Sequence, residues 1–168
     1  LGAPLADGRD GGRARAFEGK GYIEVPKSPE LDPSRGPWTV EATFLSDDAD
    51  GVVLARGGKT NGYVLCLSGG RPSFAVASKG VLSEVQGKAP VTGRWVTVRA
   101  AITADRKLGL WVDGKPAARA PLKAFIADDP NDGMQIGADL KTPVLAEGPH
   151  GFRGRIAAVR IFSGEAAP

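Results

Sequence analysis

The densest group of oxygen donors in the chain is the turn-like segment Asp128-Asp129-Pro130-Asn131-Asp132. Ca²⁺ takes about six to eight oxygen ligands from carboxylates, amides and backbone carbonyls, so Asp128, Asp129, Asn131 and Asp132 are candidate ligands of a structural calcium ion. Residues 47–50 form a second acidic loop. The alternative for both loops is that Asp and Asn favour turns through side-chain hydrogen bonds to nearby backbone N–H groups. No cofactor other than this calcium is expected.

A second candidate site combines an aromatic ring with hydrogen-bonding side chains. Trp111 alternates away from its apolar neighbours along a predicted strand, and Arg99 does the same along another. With Glu41 and Thr97 they form a candidate carbohydrate platform on a solvent-facing sheet surface, since sugars are bound by aromatic plates and polar groups. The alternative is that Trp111 only covers the sheet and Arg99 only pairs with Glu41.

Residues for catalysis are sparse. Glu30 and Asp32 match two positions of the Glu-x-Asp-x-x-Glu pattern of retaining laminarinase-like enzymes, but the third acid is missing and the segment is rich in proline. His150 is the single histidine and no Gly-x-Ser-x-Gly elbow accompanies it. Gly58-Lys59-Thr60 lacks the earlier glycine of a P-loop and is interpreted as a hairpin turn. No catalytic residue is therefore assigned.

Composition excludes several classes of protein. The 22 Lys and Arg against 19 Asp and Glu give a net charge of +3, and the basic residues are scattered singly, so no nucleic-acid partner is expected. No apolar stretch approaches the roughly 18 residues needed to cross a bilayer, so no membrane insertion is expected. Cys66 is the only cysteine and sits within an apolar run, which predicts a buried strand thiol.

The elements that must position these residues are short strands. Alternation is clearest from Trp38 to Ser46 and from Arg94 to Thr103, and the pairs Lys79-Gly80 and Asp113-Gly114 are typical of tight hairpin turns. With 24 Gly and 13 Pro closing the runs, the pattern predicts an all-β fold, a two-sheet antiparallel β-sandwich of the jelly-roll type with roughly a dozen strands.

Five segments resemble one family. They are Phe17 to Pro26, Trp38 to Ala42, Leu110 to Lys115, Gln135 to Gly137 and Gly151 to Phe162. In this order they resemble strands of laminin-G-like (LamG) jelly rolls of the concanavalin A-like lectin/glucanase superfamily, and the whole is most similar to those appended to exported bacterial sulfatases. Ala157 and Ala158 stand where the family usually has acidic residues, so any bracing or metal-binding role of those carboxylates does not carry over.

The resemblance implies a non-catalytic accessory module of a larger exported polysaccharide-acting enzyme, with a sulfatase as the expected parent. Its partners would be a polysaccharide or the adjacent catalytic domain of the same chain, its location secreted or periplasmic, and the isolated domain a monomer. Two alternatives stay open: a glycan hydrolase or lyase on the same fold, and an adhesion or protein-interaction module.

The predicted organisation has three parts. Residues 1–12, rich in glycine and without periodicity, are predicted to be a linker from an upstream domain. Residues 13–164 are predicted to form the LamG-like domain, and residues 165–168 a tail.

Overall fold

The computed structural model describes residues 2–34 and 36–166 and confirms the two-sheet antiparallel sandwich. The strands are β1 (Leu5–Asp7), β2 (Arg13–Glu18), β3 (Ile23–Val25), β4 (Trp38–Ser46), β5 (Gly51–Gly57), β6 (Asn61–Ser68), β7 (Arg71–Ser78), β8 (Val81–Gln86), β9 (Trp95–Ile102), β10 (Lys107–Val112), β11 (Lys115–Pro121), β12 (Met134–Ile136) and β13 (Arg153–Ser163). A seven-stranded sheet has the order β1-β2-β13-β4-β9-β10-β11, and a six-stranded sheet has the order β3-β12-β5-β6-β7-β8. Two short 3-10 turns, Arg9–Gly11 and Pro29–Leu31, interrupt the loops.

The predicted alternation defines the core. The inward residues of β4 and β9 are at most 1% exposed; they are Trp38, Val40, Ala42, Phe44, Val96, Val98, Ala100 and Ile102. They pack against β6 and β7, which contribute Tyr63, Leu65, Phe74 and Val76 to the same cluster. Burial of this apolar surface between the sheets is the main stabilising term of the fold.

The predicted hairpin turns are also confirmed. Lys79 and Gly80 have φ values of 47° and 79°, and Asp113 and Gly114 have 49° and 78°. Two successive positive φ values are the backbone of a type I′ turn, which matches the right-handed twist of the strands that it joins. The second turn fixes the register of β10 and β11 and thereby the position of Trp111.

The structure differs from the predicted linker at residues 5–11. Strand β1 pairs with β2 through Leu5↔Arg15, Ala6↔Ala14 and Asp7↔Arg13, so these residues form the edge of the seven-stranded sheet. Period-2 analysis misses such a strand because it is short and lies largely in solvent, where backbone pairing needs no alternation of side chains. That a further domain lies upstream stays a prediction.

The predicted tail is only partly described. The Glu165 carboxylate accepts a hydrogen bond from Ala104 N–H at 3.2 Å, and Ala166 N–H donates to Thr39 Oγ1 at 3.1 Å. Residues 167 and 168 lie outside the described residues. The first two residues of the tail therefore contact the turn after β9 and strand β4.

The outer surface of the six-stranded sheet is covered by the chain itself. Its small apolar residues form a second buried cluster with Val144 and with the partly buried Leu145; they are Val52, Ala55, Val64, Cys66, Ala75 and Ala77. Residues 138–150, here called the cover segment, are fixed there by Leu140 N–H donating to Gln135 Oε1 at 2.8 Å and by a Lys141–Glu24 ion pair at 2.9 Å. The outer surface of the seven-stranded sheet carries the candidate carbohydrate residues instead.

Candidate functional site

The candidate carbohydrate residues lie on one surface. In the seven-stranded sheet, Arg160 of β13, Glu41 of β4, Arg99 of β9 and Trp111 of β10 are direct cross-strand neighbours. Their side chains point away from the core because the residues on either side of each point inward. Thr97 lies two residues before Arg99 and faces the same way. The structure thus brings together all four predicted residues, and we call the row Arg160–Glu41–Arg99–Trp111 the polar row.

The carboxylate of Glu41 is held between two guanidinium groups. Arg99 Nε and Nη2 lie 2.9 Å and 2.6 Å from Glu41 Oε2, and Arg160 Nη1 lies 3.1 Å from Glu41 Oε1. The side chains of Glu41 and Arg99 are only 12% and 16% exposed, whereas that of Arg160 is 58% exposed. The predicted Arg99–Glu41 pair is therefore present, and of the three charged members of the row Arg160 is the one most accessible to solvent and ligands.

Phe162 supports the row from one side. The guanidinium carbon of Arg99 lies 5.7 Å from the centre of the Phe162 ring, within the range of a cation–π contact. Sequence analysis missed both Phe162 and Arg160, although they alternate with Ile161 in the last strand. Together with the Glu41 pair, this contact fixes the Arg99 side chain in one orientation.

Trp111 lies flat on the sheet because its neighbour is a glycine. A Cβ atom at position 109 would lie 2.5 Å from Trp111 Cη2 and 2.7 Å from Cζ3, well inside van der Waals contact. The indole therefore extends along β10 over the Gly109 backbone, with one ring face against the sheet. Trp111 as a whole is of intermediate exposure, so part of its side chain is accessible to solvent. An immobilised aromatic ring that is partly accessible can stack on the apolar face of a sugar ring.

Thr97 has partners of its own. Its hydroxyl lies 2.8 Å from Thr43 Oγ1 and accepts a longer hydrogen bond, 3.4 Å, from Arg9 Nη1. Its backbone N–H donates to Asp113 Oδ1 at 3.0 Å. Arg9 comes from the turn after β1, so the N-terminal hairpin reaches over this end of the surface.

The surface lacks the arrangement that glycoside hydrolysis needs. A retaining or inverting glycosidase uses two carboxyl groups on opposite sides of the scissile bond. The described cross-strand and diagonal neighbours of Glu41 are arginine, threonine, alanine and phenylalanine residues. Arg99 and Arg160 flank Glu41 at the positions where a second carboxyl group would be needed for hydrolysis. The arrangement of this surface is therefore suited to binding a glycan and, among its described residues, lacks the carboxyl pair for cleaving one.

The predicted calcium loop, residues 128–132, surrounds the guanidinium group of Arg56. The Arg56 side chain is 0% exposed, and its Nη2 lies 2.9 Å from Asp129 Oδ1. Arg56 Nε donates to the Asp132 carbonyl at 3.1 Å, Nη2 to the Pro130 carbonyl at 3.3 Å, and Nη1 to the Leu31 carbonyl. Lys27 pairs with the other Asp129 oxygen at 2.9 Å. The carboxylate and carbonyls that suggested a metal thus satisfy a buried guanidinium, and Asp129 does not fit a calcium ligand beside two cations.

The other acids of the 128–132 loop point to different partners. Asp128 Oδ2 accepts from Asn61 Nδ2 at 3.4 Å, Asp132 Oδ2 accepts from Thr142 Oγ1 at 2.8 Å, and Asn131 is exposed. These residues line an open cleft of about 410 Å³ between the loop and the β5–β6 turn. Within residues 2–34 and 36–166, no three His, Cys, Asp or Glu side chains converge in a way that could hold a metal. Calcium binding here stays a prediction, with Asp128, Asn131 and Asp132 as its remaining donors.

The second acidic loop has structural partners as well. Asp48 Oδ2 lies 3.6 Å from Arg153 Nε, and Asp50 Oδ1 accepts from Gly69 N–H at 2.9 Å. The segment after β5 is the hairpin turn that the sequence predicts, closed by Gly58 N–H donating to the Asn61 carbonyl at 3.0 Å.

Two buried titratable groups are associated with the cover segment: Cys66 lies beneath it and Asp139 belongs to it. The predicted buried strand thiol is confirmed for Cys66, and burial raises the pKa of this thiol to about 12. Burial also raises the pKa of Asp139 to about 6, against the opposing effects of the Val144 N–H that it accepts at 2.9 Å and of nearby His150. His150 is exposed and its carbonyl accepts from Asp139 N–H at 2.9 Å.

With this geometry established, comparison with known proteins identifies the family. A family model of laminin G domains, described as the concanavalin A-like lectin/glucanases superfamily, matches residues 17–167. The chain belongs to this family. The predicted resemblance is confirmed, while an association with sulfatases is not part of the match. No curated protein sequence matches significantly.

Solved structures show the same fold at low sequence identity. The pair of domains LG4-5 of the mouse laminin α1 chain has a TM-score of 0.70 at 21% identity, over 88% of this chain and 40% of that one. The Ruminococcus gnavus IT-sialidase module CBM40, solved with α2,3 sialyllactose, has a TM-score of 0.62 at 15% identity, over 85% and 89% of the two chains. The binding domain of Paraclostridial Mosquitocidal Protein 1 has a TM-score of 0.76 at 11% identity, over 97% and 42%.

This laminin G-like domain thus spans less than half of the laminin structure that it matches, and identities this low establish the fold alone. The described residues contain no helix long and apolar enough to cross a membrane.

Proposed function

We propose that this laminin G-like domain is a non-catalytic glycan-binding module of a larger exported enzyme that acts on polysaccharide. A sulfatase is the parent enzyme that the sequence resemblance favours. The binding site is the outer surface of the seven-stranded sheet, with Trp111 as the stacking platform and the three charged members of the polar row as the source of hydrogen bonds.

One observation carries this proposal: Trp111 lies flat over Gly109 in line with Arg99, Glu41 and Arg160. A tryptophan needed only to cover the sheet would not require a glycine beneath the indole and a rigid polar row next to it. The arrangement supplies both parts of sugar recognition, an apolar plane and oriented polar groups, before any ligand arrives. Preorganised side chains of this kind reduce the entropy lost on binding.

The absence of turnover is part of the proposal. Glu41 is neutralised by Arg99 and Arg160, and a carboxylate so engaged is poorly placed to act as nucleophile or general base. We therefore expect the isolated domain to bind polysaccharide without cleaving it.

A glycan array tests the proposal with three proteins: the wild type, Trp111→Ala and Val81→Ala. Val81 is a matched control because its side chain is 47% exposed on the six-stranded sheet, away from the site. We expect glycan binding by the wild type and by Val81→Ala, and its loss in Trp111→Ala with unchanged circular dichroism. Binding of no arrayed glycan would refute the proposed function and leave docking on a neighbouring domain as the role of the module. Equal binding by Trp111→Ala would refute the proposed site.

A further inference from the structure

The charges on the proposed binding surface are unequal. Where β13, β4 and β9 lie side by side, between the rows of Leu45 and Thr39, the outward-facing charged side chains are Arg155, Arg160, Arg99 and Glu41. Three guanidinium groups thus face one carboxylate. Fixed charges of one sign raise the local concentration of oppositely charged ligand groups.

The two pairs around Glu41 are not equivalent. Arg99 is largely buried, donates from Nε and Nη2 to Glu41 Oε2 and contacts the Phe162 ring. Its guanidinium group is therefore occupied by contacts within the protein. Arg160 reaches the other oxygen through Nη1, and its side chain is 58% exposed. Its outward N–H groups are the donors of the polar row best placed to receive an anion from solvent.

The polar row also sets a direction and a length. Arg160 and Trp111 stand at its two ends, three strand spacings apart, which corresponds to about 14 Å across the sheet. A ligand that stacks on Trp111 and reaches Arg160 must run across the strands. A monosaccharide is too short for this and an oligosaccharide is long enough.

We propose that the ligand is an acidic oligosaccharide that lies across the strands, with one sugar ring stacked on Trp111 and an anionic substituent bound by Arg160. The substituent is a carboxylate or a sulfate ester, since a guanidinium group binds both through paired N–H donors. Arg155, on the same strand and face, adds long-range attraction. This inference rests on the proposed function and specifies its ligand class.

The test measures dissociation constants by calorimetry for oligosaccharides of equal length with and without charge. The probes are dextran sulfate with dextran, and oligogalacturonate with its methyl ester, so that the two pairs separate sulfate from carboxylate recognition. We expect the acidic member of at least one pair to bind at least about tenfold more tightly, the size of effect typical of one hydrogen bond to a charged group. We also expect this preference to shrink as salt is added.

Variants show which residue is responsible for the preference for acidic saccharides. Arg160→Gln is expected to remove the preference for acidic probes, because it removes the guanidinium group that binds the anionic substituent. Glu41 keeps Arg99 as its partner in this variant, so the fold is retained. Arg71→Gln removes the same charge from an exposed position on the six-stranded sheet and is expected to keep the preference. Glu41→Gln is expected to strengthen binding of the acidic probe, because it releases Arg160 from its internal competitor.

The outcomes separate the two proposals. Equal binding of acidic and neutral probes, with binding lost in Trp111→Ala, overturns the inference and leaves the glycan-binding function standing. If Arg71→Gln loses the preference for acidic probes as fully as Arg160→Gln does, the preference reflects the net charge of the domain, and the inference is overturned. Tighter binding of a single-stranded deoxythymidine oligonucleotide than of either acidic saccharide overturns it also. No saccharide binding of any kind overturns both proposals.

Discussion

Replacement of Asp129 by Asn tests whether the 128–132 loop is held together by a buried ion pair. The Arg56 guanidinium is fully buried, and its compensating charge is the Asp129 carboxylate at 2.9 Å. Asn keeps the size and one acceptor oxygen of Asp but removes the charge. The variant therefore leaves a buried cation with neutral carbonyl acceptors alone.

The expected cost follows from this burial. Removing one partner of a buried ion pair costs about 3–5 kcal/mol, because the remaining charge is neither hydrated nor compensated. Asp129 is 23% exposed and Lys27 also pairs with it, so water and mobile ions partly replace the lost charge. We expect a loss of about 3 kcal/mol, which corresponds to a fall in Tm of roughly 6–12 °C for a domain of this size.

The assay is reversible urea unfolding followed by intrinsic tryptophan fluorescence, with Asp128→Asn as the matched control. Asp128 is exposed and makes one 3.4 Å contact, so its replacement should change the free energy of unfolding by less than about 0.5 kcal/mol. The double variant Arg56→Met with Asp129→Asn should be more stable than the sum of the single effects predicts, by about 2 kcal/mol or more. Equal stability of Asp129→Asn and Asp128→Asn, or additive effects in the double variant, would show that the pair is not what holds the loop.

Three further predictions concern the binding surface, pH and metal. Gly109→Ala should force the Trp111 ring off the sheet by about 1 Å and weaken glycan binding several-fold with little loss of stability, measured by calorimetry and thermal unfolding; unchanged affinity would show that the flat ring is not needed. Because the pKa of Asp139 rises from 3.8 to about 6 on folding, its ionised form costs stability above pH 6 and this cost disappears as the pH falls from about 6 towards 4. Asp139→Asn should therefore be more stable than the wild type at pH 8, by up to about 3 kcal/mol, and the gap should close near pH 4; a gap independent of pH in urea unfolding would contradict this. If calcium binds at Asp128, Asn131 and Asp132, the side-chain donors that Arg56 does not contact, added calcium should raise the Tm and EDTA should reverse the rise; a Tm that neither calcium nor EDTA changes would show that no metal binds there.

The sequence predicts those parts of the fold that local patterns determine. Alternation places the core residues of β4 and β9 correctly, since shifting the register of either strand by one residue would turn its apolar side chains to solvent. Positive-φ pairs such as Asp113-Gly114 fix the hairpins and with them the cross-strand neighbours of Trp111. For this reason Trp111, Arg99, Glu41 and Thr97 could be assigned to one surface before the strand order was known.

The missed features depend on tertiary contacts or on departures from regular alternation. Strand β13 has a bulge between Ile156 and Ala158, so Arg155 and Arg160 share a face although they are five residues apart. Strict alternation would place them on opposite faces and would hide the excess of positive charge. The 128–132 loop depends on a tertiary contact as well: its acids and carbonyls indicate a cation, and only the folded chain shows that Arg56 of β5 contacts Asp129 and the carbonyls of Pro130 and Asp132.

The cover segment on the six-stranded sheet makes the two sides of the sandwich unlike. Val144 and Leu145 occupy the outer apolar cluster of that sheet, whereas the polar row on the opposite sheet is open. Under the proposed function, a single copy therefore has one glycan-binding surface and is monovalent toward a long polymer. It should coat polysaccharide chains without cross-linking them, so mixtures of the two should stay clear, and agglutination would require several copies joined in one chain.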